Sequence, residues 1–433
     1  MNSATDSKEL CRTEAKVYAG FVGIDWGDEK HAVSLSMAGS HPIERSTLEQ
    51  TPEALLEWAN ALRARFGSGR VAICLEQARG ALLTGLMQYE HLVLYPVNPK
   101  TLARFREALY PSRAKDDPVD ADLLLDLVAK HRDRLRAWEP DTVETRELAL
   151  LTEQRRGFVD QRTALTNALL AHLKAIFPQA LELVGRHLGN RLTTDFLKKW
   201  PTLESVQKAS ASTLRDFYYG HNSRAEQLMV KRLELVKTAL PLTRDPALLS
   251  AHGLAIRTLV AQLEGLRPFI EEHDERIAAI LAAHPDGALF ESLPGAGPAL
   301  APRLLSALGT DRGRFPSAAS VQCHSGIAPV TEKSGKSQHW VHLRWSCPKF
   351  VRQSWHEFAN TSRRFSAWAA ACYQELRTRM DHHEAIRKLA YKWQRIVWRM
   401  WQTRQPYDES RYVESLKKRG LMIYSKLNTS PPL

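Results

Sequence analysis

Four acidic residues in the first third of the chain stand where elements begin or end. Asp25 closes an apolar run in GIDWG, and Glu76 closes another in AICLEQ. Asp117 and Asp120 lie in AKDDPVDAD, three apart and therefore on one face of a helix. Four carboxylates brought together would repel one another unless cations sat among them. Mg2+ or Mn2+, hard ions that take carboxylate oxygen, are the cofactors to expect there. Two such ions about 4 Å apart can hold the attacking and leaving oxygens of a phosphoryl transfer. Each acid also has an ordinary explanation: Asp25 can cap a turn, and Asp117 and Asp120 can favour the dipole of a helix start. The expectation therefore rests on the set. Asp116 and Asp122 compete for the last two roles. Asp116 falls just outside the proline-marked helix start and Asp122 points elsewhere than Asp117, so 117 and 120 are preferred.

Ser334 is a second reactive group. In GIAPVTEKSGKSQHW it follows Lys333 and precedes Gly335 and Lys336. Lysines so placed can bind a phosphate and stabilise a developing alkoxide, as an activated hydroxyl nucleophile requires. By spacing alone, a Ser-Gly in a basic loop is usually a turn. The stretch ProGlyAlaGlyPro at 294–298, followed by ALAPRLLSAL, reads as a helix-hairpin-helix-like turn whose backbone N–H groups can approach a phosphate. Many simple turns share that pattern. Residues 361–404 hold ten Lys and Arg against three Asp and Glu. Within them Ile386, Leu389, Ala390, Trp393, Val397 and Met400 make an apolar stripe. Lys388, Lys392, Arg395 and Arg399 make a basic one opposite, which suits a phosphate backbone. Seven of the eleven tryptophans fall between Trp340 and Trp401; most belong to a core, and one or two can stack on bases. Cys323, His324, His339, His342 and Cys347 show no regular zinc-ligand spacing, and His382 and His383 read as a polar helix start.

The elements that must position these groups follow from periodicity. FVGID, HAVSLSMAG and the weaker HPIERSTL read as strands. A helix from Pro52 to about Phe66 follows, with Thr51 as its N-cap. RVAICLE reads as a buried strand, then come a helix over Ala81–Tyr89, the strand LVLYPV, a helix from about Lys100 to Leu109 and another from Asp117 to about His131. This order is that of an RNase H-like (RuvC-like) mixed sheet covered by helices, an α/β domain. There the first and fourth strands end side by side and the last helix packs across them, so the four acids would converge. From Thr142 to Pro285 the strand signals vanish. Residues 142–177 read as one long helix ended by Pro178. Ile256, Leu259, Leu263, Leu266, Ile270, His273, Ile277 and Ile280 follow the alternating spacing of a coiled coil, available to a second subunit or to the chain's own helices. Pro268 is expected to kink that helix or to start a second one.

The expected organisation is a carboxylate domain over 17–141, a helical, coiled-coil region over 142–290, a mostly helical serine-bearing domain over 291–404 and a partly ordered tail over 405–433. The chain has 433 residues, 60 Lys and Arg against 48 Asp and Glu, and a net charge of +12. That excess points to a polyanionic partner, since released counterions drive binding to phosphates. No apolar run is long enough to span a membrane, and the first residues lack a secretory signal. Five scattered cysteines fit reduced thiols in the cytoplasm.

Taken together, GIDWGDEKHAV, YPVNP, AKDDPVDA, LPGAGPALA, RFPSAASVQCHSGIAPV and EKSGK, in this order, make the chain resemble the DEDD transposases of the insertion sequence 110 family. The resemblance covers most of the chain. It implies a RuvC-like domain whose four acids match Asp25, Glu76, Asp117 and Asp120, and a C-terminal transposase domain whose nucleophilic serine matches Ser334. It further implies recombination through a transient 5′-phosphoserine link to DNA. A structured noncoding bridge RNA would select donor and target, and a homo-oligomer, a dimer or a tetramer, would pair one subunit's acids with another's serine. Two departures stand out. The family's lysine-threonine-aspartate reads Lys115-Asp116-Asp117, and its doubled serine reads Lys333-Ser334, with Ser337 in reserve. The alternative is a metal-dependent nuclease or junction resolvase in which water attacks. An actin-like ATPase would need further nucleotide-binding loops that the sequence lacks, and a binding scaffold without catalysis would not need all five residues.

Overall fold

The computed structural model describes residues 18–39, 42–76, 80–109, 117–334 and 338–418, with the backbone alone for Lys333, Ser334, Gln338 and His339. The chain divides into two compact units, Met1–Pro140 and Asp141–Leu433.

In the first unit β1 (Tyr18–Asp25), β2 (Lys30–Met37), β3 (Glu44–Glu49), α1 (Pro52–Phe66), β4 (Arg70–Leu75), α2 (Ala81–Leu86), β5 (Leu92–Pro96), α3 (Pro99–Leu109) and α4 (Asp117–Lys130) follow in order. The sheet runs β3-β2-β1-β4-β5, with β2 antiparallel to both β1 and β3 and with β1, β4 and β5 parallel. This is the expected RNase H-like mixed sheet. Alternate residues of each strand face opposite sides, and the sheet has a core on each. Val22, Ile24, Val71, Ile73 and Leu75 pack with Leu55, Leu62, Leu82 and Leu86 of α1 and α2. Tyr18, Ala72, Cys74, Val93 and Tyr95 pack with Leu102 of α3 and with Leu123, Leu124, Leu127 and Val128 of α4. Thr51 caps α1 by accepting from the Ala54 N–H, and Pro52 sits in its first turn, as the sequence predicts. α2 is shorter than expected, ending at Leu86.

The second unit is built on a pair of long helices, α5 (Val143–Ile176) and α11 (Pro246–Ala283). They run antiparallel, since Arg155 meets Asp274, Phe158 stacks on Phe269 and His172 meets His252. The heptad seam of α11 is covered by α5 of the same chain, with Ile256, Leu263, Ile270, Ile277 and Ile280 buried. Pro268 lies inside one continuous 38-residue helix and does not divide it. At one end of the pair, α6 (Ala180–Val184), α7 (Arg191–Lys199), α8 (Leu203–Gln207), α9 (Ala211–Gly220) and α10 (Glu226–Thr238) close a core around Phe177, Phe196, Trp200 and Tyr218. At the other, Leu148 and Ile277 join the core of α12 (Gly287–Glu291), α13 (Gly297–Leu308), α14 (Ala318–His324), α15 (Lys349–Ser362), α16 (Ala367–Arg377), α17 (His382–Thr403) and α18 (Glu409–Lys418).

One feature of this second unit differs from expectation, and another gives the tail its detail. Residues read as a basic loop form an antiparallel hairpin, β6 (Val330–Ser334) and β7 (Gln338–His342). The tail read as partly ordered is helical over Glu409–Lys418: Tyr407 and Tyr412 pack on the core and Leu416 is buried, giving α18 the apolar face that fixes it.

Candidate active site

Parity of the sheet decides where the acids of the first unit face. Ile24 pairs with Leu75, so Asp25 and Glu76 are the next residues at the same ends of two adjacent parallel strands. Asp25 shares the face of Phe21 and Gly23, and Glu76 has the parity of Ala72 and Cys74; both belong to the side covered by α4. Asp25 is buried at 5% exposure, whereas Glu76 is half-exposed.

The helix crosses β1 at unusually close range. A Cβ on Gly23 would stand 2.1 Å from the Ala121 carbonyl oxygen and 2.3 Å from the Leu125 nitrogen. Only glycine lets the two backbones meet there, two residues before Asp25 and one from Asp120. Within α4, Asp117 is exposed in the first turn and Asp120 is fully buried, continuing the stripe of Leu123, Leu124 and Leu127.

Two of the nearby acids have distinct partners. Arg106 of α3 grips Asp120 bidentately, its Nε donating to Oδ1 at 2.6 Å and its Nη2 to Oδ2. Both side chains are largely buried, so the guanidinium supplies the positive charge that a buried carboxylate requires. Asp122 faces the other way, accepting from the Ser34 hydroxyl at 2.6 Å and from Arg45 Nη2 at 2.7 Å. Because Gly23, Ser34 and Arg45 lie in one register row across β1, β2 and β3, Asp122 ties α4 to that row. Asp116 lies outside the described residues.

Beyond β1 the chain turns back through Gly27, where a Cβ would strike the Lys30 carbonyl. The buried His31 braces this turn: its Nδ1 accepts from the Gly27 N–H and its Nε2 contacts Gln50 Oε1 at 2.7 Å. That pattern assigns the proton to Nε2. Burial lowers the pKa of His31 despite both hydrogen bonds and favours the neutral ring. Sequence reasoning found neither this brace nor Arg106. Their partners lie 19 and 14 residues away, and no local spacing announces them.

All the candidate ligands are hard carboxylate oxygens, a donor set that fits a divalent ion. Asp25 and Glu76 are neighbours under α4, but among the described residues no group of three or more His, Cys, Asp or Glu side chains is gathered to hold a metal. Asp120 has Arg106 as its cation in this conformation.

In the second unit, Ser334 is the last residue of β6, paired with Gln338 across the hairpin. Lys336 and Ser337 lie outside the described residues. On α17 the apolar stripe of Ile386, Leu389, Ala390, Trp393, Val397 and Met400 is buried as expected. Lys388, Arg395 and Arg399 are exposed, Lys388 beside Glu384. Lys392 is half-buried, its Nζ 3.1 Å from Cys372 Sγ, which departs from a fully solvated stripe. Four of the seven clustered tryptophans, Trp355, Trp368, Trp393 and Trp401, are fully buried, while Trp340 within β7 and Trp345 just after it are exposed.

A mixed sheet of this order, with acids at the ends of its first and fourth strands under a helix that carries two more, defines the RNase H-like class of phosphoryl-transfer domains. Comparison with known proteins narrows that class. The family model for IS110-type DEDD transposases, described as "Transposase", matches residues 22–178, and that of the "Transposase IS116/IS110/IS902 family" matches residues 287–374. The chain is 25% identical to the mini-circle putative transposase for IS117 of Streptomyces coelicolor, across 90% of its own length and 96% of the relative's. It is 26% identical to an uncharacterized 43.6 kDa protein of insertion element IS110 from the same organism, across 74% and 78% of the two chains. To an uncharacterized 42 kDa protein of IS900 from Mycobacterium paratuberculosis it is 23% identical, across 88% and 95%. The chain belongs to the IS110 family of transposases, enzymes that cut and join DNA. No helix among the described residues is long and apolar enough to cross a membrane.

Proposed function

We propose that this transposase recombines its element through a covalent 5′-phosphoserine on Ser334, assisted by Asp25, Glu76, Asp117 and Asp120. The observation that carries the catalytic part is the parity that sets Asp25 and Glu76 side by side on the face crossed by α4. Divalent ions, Mg2+ or Mn2+, held by these acids would supply charge that polarises the phosphate and stabilises the oxygens in transfer.

In the cleavage step the Ser334 hydroxyl oxygen forms a bond to phosphorus, the bond from phosphorus to the 3′ oxygen breaks, and the departing 3′ oxygen takes up a proton. The link conserves the bond energy. Attack by a new 3′ hydroxyl restores the diester and the serine, so strands rejoin without a nucleotide cofactor. Lys333 and Lys336 flank the nucleophile and neutralise the phosphate, while Lys388, Lys392, Arg395 and Arg399 contact the backbone further along. A structured noncoding RNA selects donor and target DNA, and a homo-oligomer brings the acids of one subunit to the serine of another. The relatives, the net charge of +12 and the motif order support this reading.

The test is an adduct assay. Full-length protein with its element's DNA, the copurifying RNA and Mg2+ is expected to yield a denaturant-stable protein–DNA adduct that disappears in Ser334→Ala. Free 5′-phosphate ends with undiminished cleavage in Ser334→Ala would contradict it and select water as the nucleophile.

A further inference from the structure

The start of α13 borders a cavity of about 310 Å³ whose other walls come from α5, α11 and α15. Gly295 and Gly297, at φ +77° and +53°, turn the chain into that helix. A Cβ on Gly295 would strike Phe365, but one on Gly297 would meet nothing within 4 Å, and Gly297, Pro298 and Ala299 are exposed. Pro298 has no N–H, so the first turn of α13 offers the N–H groups of Gly297 and Ala299, which lack carbonyl partners within the helix and lie at its positive end.

Three guanidiniums, those of Arg155, Arg156 and Arg303, share this wall with one carboxylate, Glu357. The Arg303 side chain is only 7% exposed. Its Nε donates to Ser354 Oγ and its Nη1 to Glu357, but its Nη2 has no hydrogen-bond partner. Arg156 divides its Nη groups between Asp160 and Glu357, and its Nε is likewise unpartnered. Arg155 is held by Asp274. Burial weakens Arg303's hold on its proton, Glu357 opposes that, and the nearby Arg156 and Arg155 add to it. Glu357, Asp160 and Asp274 together still leave two buried donors, Arg303 Nη2 and Arg156 Nε, without an acceptor, which an incoming anion would supply.

We infer that this cavity seats a single phosphate of a DNA strand, bound by the open turn of α13 and the guanidiniums behind it. The inference rests on the DNA-recombining function proposed above. A cavity of this volume holds one phosphate with its sugar and excludes a duplex. Guanidinium donors beside helix N–H groups are the chemistry that recognises phosphate oxygens, and Val159, Ile277 and Leu300 offer the sugar an apolar wall.

The discriminating variant is Ala299→Glu. It puts a carboxylate at the cavity mouth, where the helix dipole favours it and the fold is preserved; Ala299→Gln is the neutral control. Full-length protein is titrated with a short fluorescein-labelled single-stranded DNA over a range of salt. The expected result is roughly tenfold weaker binding at low salt in Ala299→Glu, with the slope of log affinity against log salt shallower by about 0.7, one phosphate's share for a single strand. Ala299→Gln should match the wild type.

Equal affinity and slope in Ala299→Glu, with the wild type binding DNA, would overturn the cavity assignment alone. Failure of the wild type to bind DNA would overturn the function on which it rests. A loss seen with RNA of the same sequence but not with DNA would overturn the DNA assignment. So would thermal stabilisation by inorganic phosphate that Ala299→Glu abolishes without changing DNA binding.

Discussion

Asp120 and Asp122 sit two positions apart on one helix, yet their carboxylates have opposite duties. Asp122 fastens α4 to Ser34 and Arg45, whereas Asp120 is buried against Arg106 near the crossing with β1. If Asp120 is a metal ligand, Arg106 is its cation until a metal arrives. Arg106→Met should then cost about 3–5 kcal/mol of stability in the absence of divalent ions, the penalty for leaving a buried charge unpaired. Added Mn2+ should restore most of that loss, as followed by thermal unfolding with and without the ion. A loss unchanged by Mn2+ would make the pair purely structural. That Asp25 closes β1, that Glu76 follows β4 and that Asp117 and Asp120 open α4 was legible in the sequence, because strand ends and helix spacing are local signals. Arg106 was not legible: its pairing depends on how α3 lies against α4, which no periodicity encodes.

At the scale of elements, the crossing of α4 over β1 is the joint that positions the acids. Gly23→Ala is expected to force the helix off the strand, because its Cβ would fall inside contact distance of backbone on both sides of a helical turn. The cost should reach at least about 3 kcal/mol, the upper end for overpacking. For a unit of this size that lowers the melting temperature by roughly 6–12 °C, measurable by calorimetry; an unchanged melting temperature would show that the helix can yield. The order of elements along the chain and the helix starts at Pro52 and Asp117 were readable because alternation, the Thr51 cap and the proline at 118 are local patterns. Three other elements were not. The β6–β7 hairpin is short and polar, without alternation to mark it. α18 owes its place to Tyr407, Tyr412 and Leu416 meeting a distant core. Pro268 is accommodated because α11 packs along α5 on both sides of it, and tertiary contact outweighs local propensity.

For the molecule as a whole, an RNase H-like unit and a helical unit occur in one strongly basic chain, and family models match within both. The heptad seam that sequence offered either to a second subunit or to the chain itself is occupied by α5, so the seam is part of this chain's own packing. On the function proposed, the carboxylates of the first unit take up divalent metal. Titrating the full-length protein with Mn2+ and following free ion by electron paramagnetic resonance tests it most directly. The wild type is expected to bind Mn2+ saturably, and Asp25→Asn to lose most of that uptake while keeping its melting temperature. Equal uptake by the two proteins, or none by either, would contradict the claim.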